Sequence, residues 1–231
     1  MLKKTVCLVL LVVLTHGLLA QESQSLDVQW FRSINNGQSS SDGLFEYLDR
    51  TTIPTFAAIP AGFLLVGGIK NNRATFDNGV LLGTAQAISL GATIALKGLV
   101  DRRRPFEELD DVKLKHGWSG GGASFPSGHA SQAFAIATTL TLMYPQPEVY
   151  VPLFLWAGLV SYGRVYLGLH YPSDVLGGAV FGVGSAFLVW NFRDDILRLT
   201  DRILGREEVD SRITITPFSG MKLLHVQVRL N

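Results

Sequence analysis

The chain has 231 residues, 47% of them apolar, and a formal net charge of +1 at pH 7. This length suits one ordinary domain, and the near-zero charge excludes a bulk electrostatic attraction to nucleic acid. The single cysteine, Cys7, excludes both an intrachain disulfide and a metal site built on several cysteines.

The first twenty residues have the pattern of a secretory signal peptide. Lys3 and Lys4 precede an apolar core at residues 6–14, and Ala20 offers a small residue for cleavage. An uncleaved signal anchor is the alternative, and either form directs the rest of the chain toward an extracytoplasmic face. Residues 21–52 are predicted to form two short amphipathic helices at the membrane surface, with a soluble helix pair as the alternative.

Apolar runs dominate the middle of the chain, and each is near the ~20 residues that cross a bilayer core. We predict an all-α fold, a bundle of about six helices with roughly five transmembrane spans. The 24 glycines fit close packing between such helices. Runs this short also suit the core helices of a soluble secreted enzyme. The predicted spans are residues 53–69, 79–96, 129–144, 149–169 and 175–190.

The last part of the chain, residues 193–231, is predicted to be an amphipathic helix followed by a tail. Ile213 and Ile215 alternate with polar residues, and so do the apolar residues of 224–230. This alternation, interrupted by Ser219 and Gly220, predicts a C-terminal β-hairpin. The pattern assigns no function to the tail.

The segment Phe125-Pro-Ser-Gly-His129 is predicted to be the start of a helix. Four glycines lie in residues 117–122 before it, and a helical pattern runs after it to Pro145. Unpaired N–H groups and the positive end of the helix dipole at Ser127 and Gly128 favour an anion, most often a phosphate. An ordinary serine N-cap with a nearby histidine is the alternative for this segment alone.

Two further blocks carry charged residues at the ends of apolar runs. The first is Lys97-Gly-Leu-Val-Asp-Arg-Arg-Arg104-Pro105, which supplies cations. The second is Arg164-Val-Tyr-Leu-Gly-Leu-His170-Tyr-Pro-Ser-Asp174, which adds a cation, a histidine and a carboxylate at the junction of two runs.

Together the three blocks resemble the type 2 phosphatidic acid phosphatase (PAP2) family, which shares its core with bacterial class A acid phosphatases and vanadium haloperoxidases. The family pattern is K-x6-R-P, then P-S-G-H, then S-R-x5-H-x3-D, and this chain has all three blocks in order. Gly163 stands where the family usually has Ser. The resemblance covers about residues 27–192, with the catalytic bundle at 53–192.

The resemblance implies a phosphatase that works through a phosphohistidine intermediate without a metal or cofactor. His170 would be the nucleophile, Asp174 would orient it, and His129 would be the general acid and base. The phosphate would be bound by Lys97, Arg104, Ser127, Gly128 and Arg164.

Counting spans from an outer N-terminus places all three blocks on the outer side of the membrane. The expected enzyme is therefore a cell-membrane phosphatase with its site facing the periplasm or outside, acting on a lipid phosphate among membrane lipids. A soluble secreted acid phosphatase or a vanadium-dependent haloperoxidase is the alternative, and a membrane scaffold that only binds phosphate is a third. Neither the lipid nor the oligomeric state follows from the sequence.

Overall fold

The computed structural model describes residues 26–36, 42–115 and 122–206, and the backbone of 211–214 and 225–228. The predicted signal peptide, residues 1–20, lies outside the described residues. The described residues up to Asn191 form one compact unit, which is helical apart from short connections. The helices are α1 (residues 26–35), α2 (Asp42–Ile69), α3 (Arg73–Val100), α4 (Pro105–Glu108), α5 (Gly128–Met143), α6 (Pro147–Tyr166) and α7 (Pro172–Asn191).

Helix α5 lies at the centre of this unit. It packs against α3, α6 and α7 and also contacts α2, and ten of its sixteen residues are buried. Small side chains at Ala130, Ala133 and Ala137 let the neighbouring helices approach closely. Because several helices surround α5, the residues at its N-terminus are held in a fixed position.

The packing of α7 against α5 depends on two glycines one helical turn apart. A Cβ atom added at Gly178 would lie 2.4 Å from the carbonyl oxygen of Ser127, and one added at Gly182 would lie 2.2 Å from that of Ser131. No side chain fits at such distances. The small-xxx-small spacing therefore brings the two backbones together, as it does between transmembrane helices.

We expect Gly182→Ala to destabilise the bundle, because its Cβ meets the backbone of α5 and neither helix can yield locally. Overpacking of this kind costs about 1–3 kcal/mol, which thermal unfolding of the purified protein in detergent would measure. Gly184→Ala is the matched control, since a Cβ there meets nothing within 4 Å. An unchanged melting temperature for Gly182→Ala would contradict the close approach of the two helices.

The all-helical class is confirmed for this unit, but the number of spans is not. By length and composition, three stretches of the described chain are able to cross a membrane: Asp42–Ile69, Arg73–Glu108 and Pro172–Asn191. Helix α5 has 16 residues, fewer than the ~20 needed. Helix α6 carries Glu148 and Arg164 in its end turns, which lowers its mean hydropathy. With the shorter α1 and α4 also present, the count of about six helices is not confirmed either.

The N-terminal region differs from the two short helices expected there. Residues 26–35 do form a short helix, but the second expected helix is the first part of α2, which continues without a break from Asp42 to Ile69. Pro54 and Pro60 lie within α2. The polar and charged residues before the apolar run are therefore helical and rigidly joined to it.

A second unit begins at Phe192. It contains α8 (Arg193–Ile203), which matches the predicted amphipathic helix. Strands β1 (Ser211–Thr214) and β2 (His225–Val228) pair antiparallel, with Ser211 opposite Val228 and Thr214 opposite His225. Residues 215–224, which would form the turn, lie outside the described residues, so the hairpin as a whole stays a prediction.

Candidate active site

His170 lies in the turn between α6 and α7. The residue is buried, with only 2% of its surface exposed. The carbonyl oxygen of Arg164 accepts hydrogen bonds from the backbone N–H groups of Leu169 (3.0 Å) and His170 (3.2 Å). Gly168 has a φ of +85°, and a Cβ there would lie 3.1 Å from the carbonyl oxygen of Lys113. A glycine is therefore needed at this position to turn the chain and present His170.

The carboxylate of Asp174 faces one nitrogen of that imidazole. Asp174 is fully buried in the first turn of α7, and its Oδ2 lies 3.5 Å from His170 Nδ1. Oδ2 also accepts hydrogen bonds from the Ser124 hydroxyl (2.5 Å) and the Tyr171 N–H (2.8 Å). The Ser124 Oγ lies 3.3 Å from His170 Nδ1, so the serine bridges the two side chains that the sequence predicted as a pair.

Arg104 lies on the other side of the His170 ring. Its Nη1 is 3.4 Å from His170 Nε2 and donates to the carbonyl oxygen of Leu169 (3.0 Å), while its Nε donates to that of Gly122 (2.9 Å). The guanidinium is nearly fully buried. A fixed cation therefore faces the nitrogen of His170 that points away from Asp174.

Lys97 connects the end of α3 to the loop before α5. Its ammonium group donates to the carbonyl oxygens of Ala123 and Ser124. Because Ser124 also contacts His170 and Asp174, the lysine, the loop and the third block meet at one place. The predicted phosphate-binding residues Lys97 and Arg104 are thus both brought to the His170 side of the bundle.

The N-terminus of α5 is built differently from the expected anion site. Ser127 is the N-cap, and its hydroxyl accepts from the Ala130 N–H (3.5 Å). The backbone N–H of Ser127 donates to the carbonyl oxygen of Asp174 (2.9 Å). This N–H therefore joins α5 to α7 instead of facing a ligand, and Gly128 follows as the first residue of α5.

Arg164 and His129 meet through a carboxylate that the sequence analysis did not single out. Asp49 of α2 forms a salt bridge with Arg164 Nη1, and its Oδ1 lies 3.7 Å from His129 Nε2. Arg104 and Lys97 are close enough to act electrostatically on His129. All three sequence blocks therefore converge, with Asp49 added from a fourth segment.

Burial dominates the electrostatics of His170. It lowers the pKa of the imidazole to about 3, and the charges of Arg164 and Arg104 act in the same direction, whereas Asp174 opposes them. His170 is therefore neutral at physiological pH when the site is empty. A neutral imidazole is the form that can act as a nucleophile.

Gly163 is the one departure from the family pattern. The space beside it is filled by a side chain of α2. A Cβ added there would lie 3.0 Å from Cδ1 of Phe45. Phe45 also packs against Tyr166 at a ring-centroid distance of 4.7 Å. The phenylalanine of α2 thus fills the space next to the residue where the family usually carries a serine side chain.

An apolar groove with a volume of about 530 Å³ reaches from α2 and α3 to His129. Its walls are mainly aliphatic and aromatic, and His129 and Gln132 lie on its α5 side. The ring of Phe56 stands edge-on to the His129 imidazole, with centroids 6.0 Å apart. The wall residues are Ile53, Phe56, Ala57, Pro60, Gly83, Gln86, Ala87 and Leu90.

Three residues at the site were missed by the sequence analysis: Asp49, Arg102 and Ser124. Ser124 lies three residues before Ser127 in the same loop. Nothing in the sequence of this loop indicates that a second serine hydroxyl is buried there. Arg102 lies inside the first sequence block, but it is not one of the positions that the family pattern K-x6-R-P specifies. Asp49 follows Phe45 by one helical turn, a spacing that places a carboxylate on the buried face of α2.

We expect Arg164→Lys to lower phosphatase activity about 10- to 100-fold. Lysine keeps the charge but loses the planar fork that can hold two phosphate oxygens, and it no longer matches Asp49. The rate of phosphate release at saturating substrate would measure this. Arg193→Lys in the second unit is the control, and an Arg164→Lys enzyme with the wild-type rate would exclude a bidentate role.

Comparisons with known proteins agree on one superfamily. The sequence model of the PAP2 superfamily matches residues 78–198. The chain is 35% identical over 153 residues to a lipid A 4'-phosphatase of Bacteroides thetaiotaomicron, an alignment that spans 62% of this chain and 64% of that protein. It is 30% identical to an undecaprenyl-diphosphatase of Sulfolobus acidocaldarius, over 73% of this chain and 79% of that one.

A solved structure extends the comparison to the fold. The crystal structure of a transmembrane PAP2-type phosphatidylglycerolphosphate phosphatase from Bacillus subtilis superposes with a TM-score of 0.64 at 26% identity. The superposition covers 81% of this chain and 95% of that chain.

Proposed function

Because this chain belongs to the PAP2 superfamily, we propose that it is a membrane phosphatase that hydrolyses a phosphomonoester or a diphosphate on a lipid. The observation that carries the proposal is the position of His170 between Asp174 at Nδ1 and Arg104 at Nε2. The relatives named above act on lipid phosphates, whereas the alternatives of a soluble acid phosphatase or a haloperoxidase have no such support.

In the first step, Nε2 of His170 attacks phosphorus. The N–P bond forms as the bond between phosphorus and the leaving oxygen breaks, and Asp174 stabilises the positive charge that develops on the ring. Lys97, Arg104 and Arg164 balance the charge on the phosphoryl oxygens, as phosphoryl transfer requires. We assign to His129 the proton that the leaving oxygen needs.

In the second step, water replaces the histidine on phosphorus. His129, now neutral, takes a proton from the attacking water, the N–P bond breaks, and phosphate leaves while His170 returns to its neutral form. Neither step needs a metal or another cofactor, because three fixed cations supply the charge.

The groove that reaches His129 supports a lipid as the leaving group. His129 is the proposed proton donor to the leaving oxygen, so the groove lies on the side toward which that group departs. Its aliphatic and aromatic walls suit the hydrocarbon chains of a lipid better than a water-soluble leaving group. Candidate substrates, by likeness to the relatives, are lipid A phosphates, undecaprenyl diphosphate and phosphatidylglycerol phosphate.

We place the site on the outer side of a cell membrane crossed five times. In this topology α5 and α6 also span, and α5 tolerates its short length because neighbouring helices surround it. The signal segment, cleaved or retained, would deliver the chain in this orientation, and a retained segment would add a sixth crossing.

The test is phosphate release by the purified full-length protein in detergent micelles with EDTA present. The panel is lipid A, undecaprenyl diphosphate, phosphatidylglycerol phosphate and phosphatidic acid, with glucose 6-phosphate as a water-soluble control. We expect turnover of at least one lipid and a much slower reaction of the sugar phosphate. Hydrolysis of the sugar phosphate alone, or of nothing on the panel, would refute the proposal.

A further inference from the structure

Arg102 lies between two carboxylates, one of which is the Asp174 of the proposed nucleophile pair. Its Nη1 donates to Asp174 Oδ1 (2.8 Å) and to the hydroxyl of Ser173 (2.7 Å), and its Nη2 donates to Asp27 Oδ2 (2.8 Å). The guanidinium carbon also lies 3.9 Å from the centroid of the Tyr171 ring. Both terminal nitrogens of the guanidinium and one of its faces are thus engaged.

Asp27 is itself held in place by the start of α7. Its Oδ1 accepts from the Ser173 N–H (2.9 Å) and its Oδ2 from the Ser173 hydroxyl (2.5 Å). Asp27 belongs to α1, which lies before the segment that matches the superfamily. The ring of Phe31 in α1 packs on Tyr171 with centroids 5.7 Å apart, so α1 is fixed over this network.

The two oxygens of Asp174 have separate partners. Oδ1 is taken by Arg102, while Oδ2 faces Ser124, the Tyr171 N–H and Nδ1 of His170. The hydrogen bond from Arg102 at Oδ1 acts together with those from Ser124 and the Tyr171 N–H at Oδ2, and all three resist rotation of the carboxylate away from the imidazole. Rotation of the carboxylate would break the contact between Asp174 Oδ2 and His170 Nδ1. The imidazole would then lose the group that fixes its orientation during attack.

We propose that Arg102, clamped by Asp27 of α1, is a positioning residue that orients Asp174 and thereby sets the reactivity of His170. This inference rests on the proposed function, since it assigns Arg102 a part in the same site. It also gives α1 a role in catalysis, because this helix supplies the second carboxylate of the clamp.

The charges that face His170 and Asp174 determine how Arg102 affects the pKa of the imidazole. Arg102 opposes protonation of the pair, and so do the other cations. When Arg102 is replaced by a neutral residue, the surroundings of His170 become more negative. The protonated imidazole is then favoured, and the pKa of His170 rises. The charged groups that act on His170 and Asp174 are Arg102, Arg104, Arg164 and Lys97.

Four variants separate this role from simple structural support. Arg102→Gln removes charge and fork, Arg102→Lys keeps the charge alone, and Asp27→Asn weakens the clamp while keeping its shape. Arg103→Gln removes a charge from the neighbouring residue, which is exposed, and serves as the matched control. Thermal unfolding in detergent selects the variants that are folded at the assay temperature.

The first readout is the rate of phosphate release from the best lipid of the panel, followed against pH. We expect Arg102→Gln to lower kcat about 10-fold or more and to move the acidic limb of the profile upward by about half a unit or more. Arg102→Lys should keep the wild-type limb with a smaller loss in kcat. Asp27→Asn, which loosens the clamp but removes a negative charge, should lower kcat without moving the limb upward. Equal limbs in Arg102→Gln and Arg103→Gln would overturn the proposal.

The second readout does not depend on turnover. Titration of the ¹⁵N-labelled imidazole of His170 by NMR should give a higher pKa in Arg102→Gln, or in Arg102→Met if the glutamine variant does not fold, than in Arg103→Gln. The same imidazole pKa in those proteins would overturn the role of Arg102. A panel without turnover but with this shift would refute the lipid phosphatase while leaving the positioning role in place.

Discussion

Replacement of His170 by alanine is expected to reduce phosphate release by about 10³-fold or more while leaving phosphate binding largely intact. The loss is large because the substitution removes the attacking nitrogen, and the residues of a nucleophilic unit fail together. We expect binding to persist, because the proposed phosphate-binding residues Lys97, Arg104 and Arg164 are unchanged. Single-turnover rates and calorimetric titration with inorganic phosphate would measure the two quantities.

A second variant distinguishes loss of the nucleophile from unfolding of the protein. His170 is buried beside Asp174 and Arg104, so alanine leaves a void next to charged groups. His170→Asn retains an amide that can face Asp174 but has no nitrogen at the position of Nε2. Both variants should be inactive and should bind phosphate; appreciable turnover in either one would show that His170 is not the nucleophile.

His129→Asn is expected to lower the hydrolysis of a lipid phosphate about 10²- to 10⁴-fold, the usual contribution of a general acid or base. The loss should depend on the leaving group. A nitrophenolate leaves without a proton, so the first step with p-nitrophenyl phosphate should be nearly unaffected. Because His129 is also assigned to activate water, the second step should then become limiting.

The kinetic signature is a burst of nitrophenolate followed by a slow steady state in the His129→Asn enzyme. Wild-type enzyme under the same conditions is the comparison. A uniform loss for lipid and nitrophenyl substrates, without a burst, would place His129 in substrate binding instead of proton transfer.

Residues close together in the chain were the ones that sequence reasoning could place. The four-residue spacing of His170 and Asp174, with Pro172 opening a helix between them, predicts a contact through local geometry alone, and the two side chains do meet. The small residues of α5 and α7 likewise predict close packing. Contacts of this kind can be predicted because they depend mainly on local sequence and little on distant segments of the chain.

Contacts made across the bundle could not be predicted in the same way. Asp49 reaches Arg164 and His129 only because α2 runs unbroken past them, where two separate helices were expected. The N–H of Ser127 was expected to face an anion, but the tight packing of α7 brings the Asp174 carbonyl to it. Such partners depend on how helices distant in sequence pack, which periodicity does not encode.

The central claim, that His170 attacks phosphorus, is tested most directly by isolating the covalent intermediate. His129→Asn enzyme would be mixed with p-nitrophenyl phosphate, quenched within the burst under alkaline conditions that preserve phosphohistidine, and digested for peptide mass spectrometry. We expect one phosphoryl group on the peptide that contains His170, attached to the imidazole, and none in His170→Ala. A burst without phosphate on His170, or with phosphate on another side chain, would contradict the mechanism.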